Sequence, residues 1–379
     1  MKIQQNIVNI NWAQFYPFSD VSDTANNTIK SRLSGLKQRI TAIEEVIEGY
    51  TRDNLVNRIA FVEWAVRYEK TVGWNFLNGD VIDLGDGYLS EVEEKYDPAG
   101  YAASLAELYG FLQGLGIDFL YVQCPYKIAP GDPISGTGDF SNQNADDLWY
   151  ALSMKSVPYL DLRKNIREEG LEHHALFYKT DHHWKAETGL WAGGVLMDHL
   201  NRNYGFGFDL DRADPQGYHY ALYRNWFLGS LGKKVTLLQA PAEDFTLITP
   251  RFDTDFSLTI PEVNLDTRGN FDIFIDHFWL DTQDYYRLSP YGAYMYGDRQ
   301  VIMVHNFLAP EGKKILLIKD SFADVVSPFL STGTADLHIL DLRHFNGSIR
   351  SYIEKNKPDM VMVMYNPSAM GNEKMFDFR

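Results

Sequence analysis

Two short segments carry the residue types from which acyl chemistry can be built. Asp181-His182-His183-Trp184 places a carboxylate two residues before an imidazole. In an extended segment such residues project from one face, so Asp181 can hold the tautomer of His183 while the ring acts as a base. The other segment, Ile315-Leu316-Leu317-Ile318-Lys319-Asp320-Ser321-Phe322-Ala323, ends an apolar strand in a serine where a helix begins. Such a strand end lies at the ligand-binding edge of a parallel sheet. A serine there sits among amide donors able to stabilise an oxyanion. A serine nucleophile needs a base, and that base needs a carboxylate. Ser321, His183 and Asp181 supply one of each. The competing reading is structural: Asp320 or Ser321 caps its helix, Asp181 caps a helix beginning near Lys185, and the histidines pack locally.

A metal site competes for the same residues. Asp181, His182 and His183 are all possible ligands, and His173 and His174 precede them. Adjacent histidines in a strand point to opposite faces, however, so one contiguous run is a poor source of three ligands. Metal phosphoesterases with an Asp-His-His motif carry an Asp-x-Asp pair upstream of it; here such pairs, Asp209/Asp211 and Asp253/Asp255, lie downstream. Neither a metal nor a cofactor is expected. Further donors come from the last two strand ends, Asp341-Leu342-Arg343-His344 and Met364-Tyr365-Asn366-Pro367. Arg343, Tyr365 and Asn366, with Lys319, are candidates to hold an oxyanion or a sugar. Tyr126 and Lys127 hold a similar place after the strand that ends at Cys124.

The elements that must position these groups are legible to different degrees. Residues 1–40 are polar and read as an extended arm, and 41–71 repeats apolar positions at helical spacing. A hairpin-like turn over 72–80 follows, then a helix at 99–114, a strand at 118–124 and a Gly/Pro/Ser-rich loop over 129–142. A strand is expected near 175–179 and a helix from 185 to about 203. Residues 204–300 alternate in short aromatic and acidic runs, such as 271–275, and read as a β-rich insertion outside the main α/β layer. The tail alternates strand and helix: Lys314–Lys319, 322–331, 338–342, 347–356 and Met360–Tyr365. That alternation predicts a parallel sheet with helices on both faces. The expected organisation is an N-terminal arm and helix over 1–75 and one α/β domain over 76–379, with 204–300 inserted.

Composition narrows the class. The 379 residues are 45% hydrophobic and 14% aromatic, which is enough for a large core and excludes a disordered chain. The formal net charge of −16 argues against nucleic acid and against polybasic attachment to a membrane surface. It also disfavours a strongly anionic polymer as ligand, unless one is met by a local basic groove around Arg343 and Lys319. A single cysteine, Cys124, allows no internal disulfide and no multi-cysteine zinc site. No run is long enough for a transmembrane helix, and the first residues lack the apolar stretch of a secretory signal. The expectation is a cytosolic chain or one that begins after a removed signal or anchor.

The motif residues also carry a resemblance. Thr180-Asp181-His182-His183-Trp184 resembles the signature of the bacterial DHHW family, itself similar to SGNH-like O-acetyltransferases of alginate and other exopolysaccharides. Lys319-Asp320-Ser321 resembles the Gly-Asp-Ser block of SGNH hydrolases with lysine in place of glycine, and it follows the Asp/His segment rather than preceding it. The likeness includes Val46–Tyr50, Asn57-Arg58, Leu84–Leu89, Pro125-Tyr126-Lys127 and the Gly-Ser stretch in Asn225–Lys233. The Gly-x-Asn-Asp block of the hydrolases has no clear counterpart, and Asn366 is the nearest substitute. The resemblance implies an SGNH hydrolase-like, flavodoxin-like α/β fold and an O-acetyltransferase with Ser321, His183 and Asp181 as its triad. It further implies a carbohydrate polymer as acceptor, an extracytoplasmic location and a membrane-bound O-acyltransferase as partner. The alternatives are a carbohydrate esterase and a non-catalytic carbohydrate-binding protein of envelope assembly.

Overall fold

Continuous apolar runs and alternating ones end in different places in this molecule. The computed structural model describes residues 58–379, apart from 73–75, 79, 135 and 137. The chain divides into two compact units, Met1–Tyr68 and Glu69–Arg379. Of the first unit the described residues are the start of a helix, Arg58–Thr71. The expected arm over 1–40, and the part of the expected 41–71 helix before residue 58, lie outside the described residues.

In chain order the strands are β1 (Phe76–Leu77), β2 (Val81–Asp83), β3 (Leu89–Ser90), β4 (Asp118–Gln123) and β5 (Tyr159–Asp161). There follow β6 (Tyr218–Phe227), β7 (Glu243–Pro250), β8 (Phe256–Ile260), β9 (Leu265–Gly269) and β10 (Val301–Asn306). The last are β11 (Lys314–Lys319), β12 (Asp336–Leu340) and β13 (Met360–Tyr365). The main sheet has the order β5-β4-β13-β11-β12-β10-β8-β9. Its first five strands pair parallel. Its last three are antiparallel.

β11 and β13 are the hydrophobic centre. Ile315 and Leu317 face one apolar cluster with the helix Ala186–Tyr204, while Leu316 and Ile318 face another with the helices Ala99–Leu115 and Ile349–Asn356. Successive strand residues point to opposite faces, so a strand covered on both sides must be apolar throughout. This is the expected α/β layer, with helices on both faces.

Several expectations need correction. The sheet is mixed rather than parallel, because β8, β9 and the unanticipated β10 extend it antiparallel. The 204–300 segment is therefore not wholly an insertion: β6 and β7 form a separate two-stranded sheet, but β8 and β9 belong to the main layer. β8 alternates buried and half-buried residues and β10 does the same, the pattern of strands covered on one face. Residues 271–275 are not a strand; Asn270 accepts from the Asp272 amide and starts a 3-10 turn over Phe271–Phe274. The strand near 175–179 is a 3-10 turn, His174–Leu176, followed by a single bridge between Phe177 and Trp184. The 322–331 helix is split into a 3-10 turn, Ser321–Val325, and a short helix, Ser327–Leu330. Helices Ser141–Ser153 and Leu162–Glu168 were not anticipated. No helix among the described residues is long and apolar enough to cross a membrane.

Candidate active site

The last residue of β11, Lys319, is followed by an extended Asp320 whose side chain accepts from the Phe322 amide at 2.9 Å. Its other carboxylate oxygen accepts from the Asn366 backbone amide at 2.6 Å and from the Asn366 side chain at 2.9 Å. Asp320 thus caps the turn and ties the ends of β11 and β13 together. Ser321 is not the cap, and its hydroxyl is free for another partner.

That partner is His183, whose Nε2 lies 2.6 Å from the Ser321 Oγ. On the other side of the ring, Nδ1 lies 2.6 Å from the Asp181 Oδ1. With Asp181 accepting from Nδ1–H, Nε2 is the acceptor that faces the Ser321 hydroxyl. Asp181 and His183 share a face as the spacing suggested, but through a local turn: Asp181 Oδ1 also accepts from the His183 amide at 3.0 Å. The Ser230 amide donates to the second oxygen, Oδ2, at 2.6 Å. Burial alone would raise the Asp181 carboxyl, yet the adjacent His183 and these hydrogen bonds hold it well below the usual carboxylate range.

The surroundings lock this line in place. Trp184, fully buried, donates its indole N–H to the Phe322 carbonyl at 2.8 Å and so ties the histidine segment to the serine turn. Tyr291 stacks on the His183 ring, with centroids 4.1 Å apart, and donates its hydroxyl to the Ser321 carbonyl at 2.9 Å. Lys127 is buried and donates to the carbonyls of Leu89, Lys179 and Asp181. Three carbonyls match the three protons of an ammonium, even though burial draws its pKa down to about 7. The Glu243 carboxylate accepts from the amides of Lys179 and Thr180 and from the Thr180 hydroxyl. At Gly229 an added Cβ would lie 2.2 Å from the Asp181 Cβ, so only glycine lets the Ser230 amide approach the carboxylate.

Solved structures share this architecture. Bacillus cereus PatB1 matches with a TM-score of 0.64 at 21% sequence identity, over 79% of this chain and 99% of that one. The same protein with a sulfonyl adduct gives a TM-score of 0.63 at 20% identity over the same shares. A DHHW family protein from Eubacterium siraeum matches with a TM-score of 0.59 at 18% identity, over 79% of this chain and 95% of that one. This chain has the DHHW family protein's fold. No family model matches the sequence, and no curated relative matches it.

On that fold the remaining expected residues divide. Lys319 does not line the site. Its side chain is completely buried against Asp324 at 2.6 Å, Asp298 at 2.7 Å and Asp341 at 3.6 Å. Burial opposes its charge, but the three carboxylates outweigh burial and raise its pKa above the ordinary lysine value. Arg343 joins the same cluster, bridging Asp341 and Asp298. The expected basic groove is therefore an ion cluster closed on itself. Tyr365 is fully buried and donates its hydroxyl to the Met375 carbonyl at 2.7 Å, so it does not reach Ser321. Asn366 stays beside the serine turn through Asp320.

The metal reading meets a geometric obstacle. Both Asp181 oxygens and both ring nitrogens of His183 already serve the line described above. His173 and His174 turn elsewhere, to the Tyr126 carbonyl at 2.8 Å and to Asp132 at 3.1 Å. Sequence reasoning missed Tyr291, Glu243 and Asp298. Tyr291 and Glu243 sit in the aromatic, acidic 204–300 texture, where no spacing singles them out.

Proposed function

We propose that this protein is a serine-dependent acyl-ester enzyme, an O-acetyltransferase acting on a carbohydrate hydroxyl. The observation that carries the reading is the line Asp181–His183–Ser321, with both links at 2.6 Å. Ser321 Oγ attacks the acyl carbonyl while His183 Nε2 takes its proton, and Asp181 holds the ring and stabilises the imidazolium. The Ser321 amide opens its 3-10 turn, where an N–H has no partner within the turn, and it is the proposed oxyanion donor together with the Asn366 side chain. The leaving group departs with the proton from His183. A sugar hydroxyl, deprotonated in turn by His183, then takes the acetyl group from Ser321.

The sulfonyl adduct of PatB1 supports this reading, because sulfonyl reagents cap activated nucleophiles and PatB1 shares the fold. The motif resemblance supports acetyl as the acyl group, an exported polysaccharide as acceptor, and a membrane-bound O-acyltransferase that supplies acetyl groups outside the cytoplasm. The test is incubation with a sulfonyl fluoride and with p-nitrophenyl acetate. The native protein gains one sulfonyl group at Ser321 and releases p-nitrophenol. Equal release by Ser321→Ala removes Ser321 from the nucleophile role.

A further inference from the structure

The second histidine of the motif has no part in the mechanism just described, yet it is the most open of the group. The His182 side chain is 37% exposed, against 13% for His183 and 4% for Asp181. Its ring packs on the His183 ring with centroids 3.8 Å apart and planes tilted by 38°. Both rings turn Nδ1 toward the same oxygen, Asp181 Oδ1, at 2.6 Å for His183 and 3.6 Å for His182. Their Nε2 edges consequently face away from Asp181 together. His183 Nε2 meets Ser321 there, while His182 Nε2 has no hydrogen-bond partner among the described residues. The His182 ring is not loose: its Nδ1 is 3.2 Å from the Ser230 hydroxyl, and Ser230 is the residue whose amide holds Asp181. With Nδ1 turned to Ser230 and Asp181, a neutral His182 ring keeps one donor or acceptor at Nε2.

We propose that His182 Nε2 is the acceptor subsite, hydrogen-bonding the hydroxyl adjacent to the one that is acetylated, so that the paired imidazoles select a vicinal diol. The inference rests on the acyl-transfer reading above. In that step the acceptor hydroxyl must lie at His183 Nε2, which takes its proton as the acceptor oxygen attacks the acetyl carbon. The acetyl–Ser321 ester bond breaks, the new ester bond forms, and the proton passes from His183 to Ser321 Oγ. A hydroxyl on the next carbon of a sugar ring then falls beside the first, where the stacked His182 ring presents its nitrogen. Water and simple alcohols have no second hydroxyl to place there. The pair of histidines thereby favours a sugar over water as acceptor.

The experiment loads Ser321 with acetyl from p-nitrophenyl acetate and partitions the acetyl-enzyme between water and an added acceptor. Cyclohexane-1,2-diol is compared with cyclohexanol, and acetate and acetyl ester are both quantified. The native enzyme transfers to the diol in preference to the mono-alcohol by about tenfold, the worth of one neutral hydrogen bond. His182→Phe keeps an aromatic ring on His183 and loses that preference. His182→Gln, which returns a polar group near Nε2, recovers part of it. Each partition is a ratio within one variant, so a change in acylation rate cancels. If acetyl-Ser321 forms and His182→Phe retains the diol preference, or the native enzyme shows none, the subsite is overturned alone. If no acetyl-Ser321 forms on the native enzyme, the acyl-transfer reading fails and takes the subsite with it.

Discussion

Two polar constellations flank Ser321, and they are built on opposite plans. On one side Asp181 and His183 form a line with a free end: each oxygen of Asp181 has its donors, and the chain of hydrogen bonds terminates at the Ser321 hydroxyl. On the other side Lys319 and Arg343 face Asp298, Asp324 and Asp341 in a cluster whose cations are each held by two or three carboxylates. Charges that satisfy one another hold backbone in place. A series that ends on a serine hydroxyl, with no carboxylate beyond it, has the arrangement that the proposed acyl transfer requires. Asp181 and Lys319 are both buried, so burial of the central charge does not distinguish the two sets; the presence of an open end does.

That contrast can be broken by mutation, and the largest effect belongs to the line. His183→Ala is expected to lower turnover of an acetyl ester by ~10⁴-fold while leaving urea unfolding nearly unchanged. Next comes the cluster. Lys319→Met strands carboxylates in the core and is expected to cost about 3–5 kcal/mol in urea unfolding. Under conditions where that variant is folded its turnover stays near native, and a loss of turnover without a loss of stability would show that the cluster acts on the chemistry. Gly229→Ala tests positioning: its Cβ displaces Asp181, and turnover is expected to fall by about 10²-fold with Ser321 and His183 still present.

The smallest effect is a pH dependence. Asp181 is depressed in the folded state, so it contributes stability above the unfolded carboxylate pKa of about 4, and that contribution is lost as pH falls through the folded value. The difference in unfolding free energy between the native protein and Asp181→Asn should therefore be widest near neutrality and close as the pH drops below about 4. A difference that stays constant from pH 7 to pH 3 would mean that Asp181 is not held as an anion by His183.

Legibility followed the kind of physical signal. β11 and β13 were read to the residue because a strand covered on both faces has to be apolar at every position, which leaves a continuous apolar run, as in β4. β10 was missed, since Val301–Asn306 buries only alternate residues and carries His305 and Asn306 in a chain rich in such short runs. The Asp181/His183 pairing was legible because two-residue spacing is a local constraint. Lys319 was misread for the complementary reason: a lysine at a strand end looks like a surface cation until Asp298, Asp324 and Asp341 are folded around it.

By itself the sequence determined the central strands, the helix after the motif and the choice of Asp181, His183 and Ser321, which the structure brings into one hydrogen-bonded line. These rest on local periodicity and on spacings of a few residues, which the chain carries wherever it folds. Only the tertiary structure decided that Asp320 rather than Ser321 is the cap, that Lys319 and Tyr365 turn away, and that Lys127, Glu243, Gly229 and Tyr291 brace the motif. Each of those outcomes joins residues distant in the chain. Hydrogen bonds and close contacts of that kind depend on where the sheet brings separate segments together, and no local pattern records it.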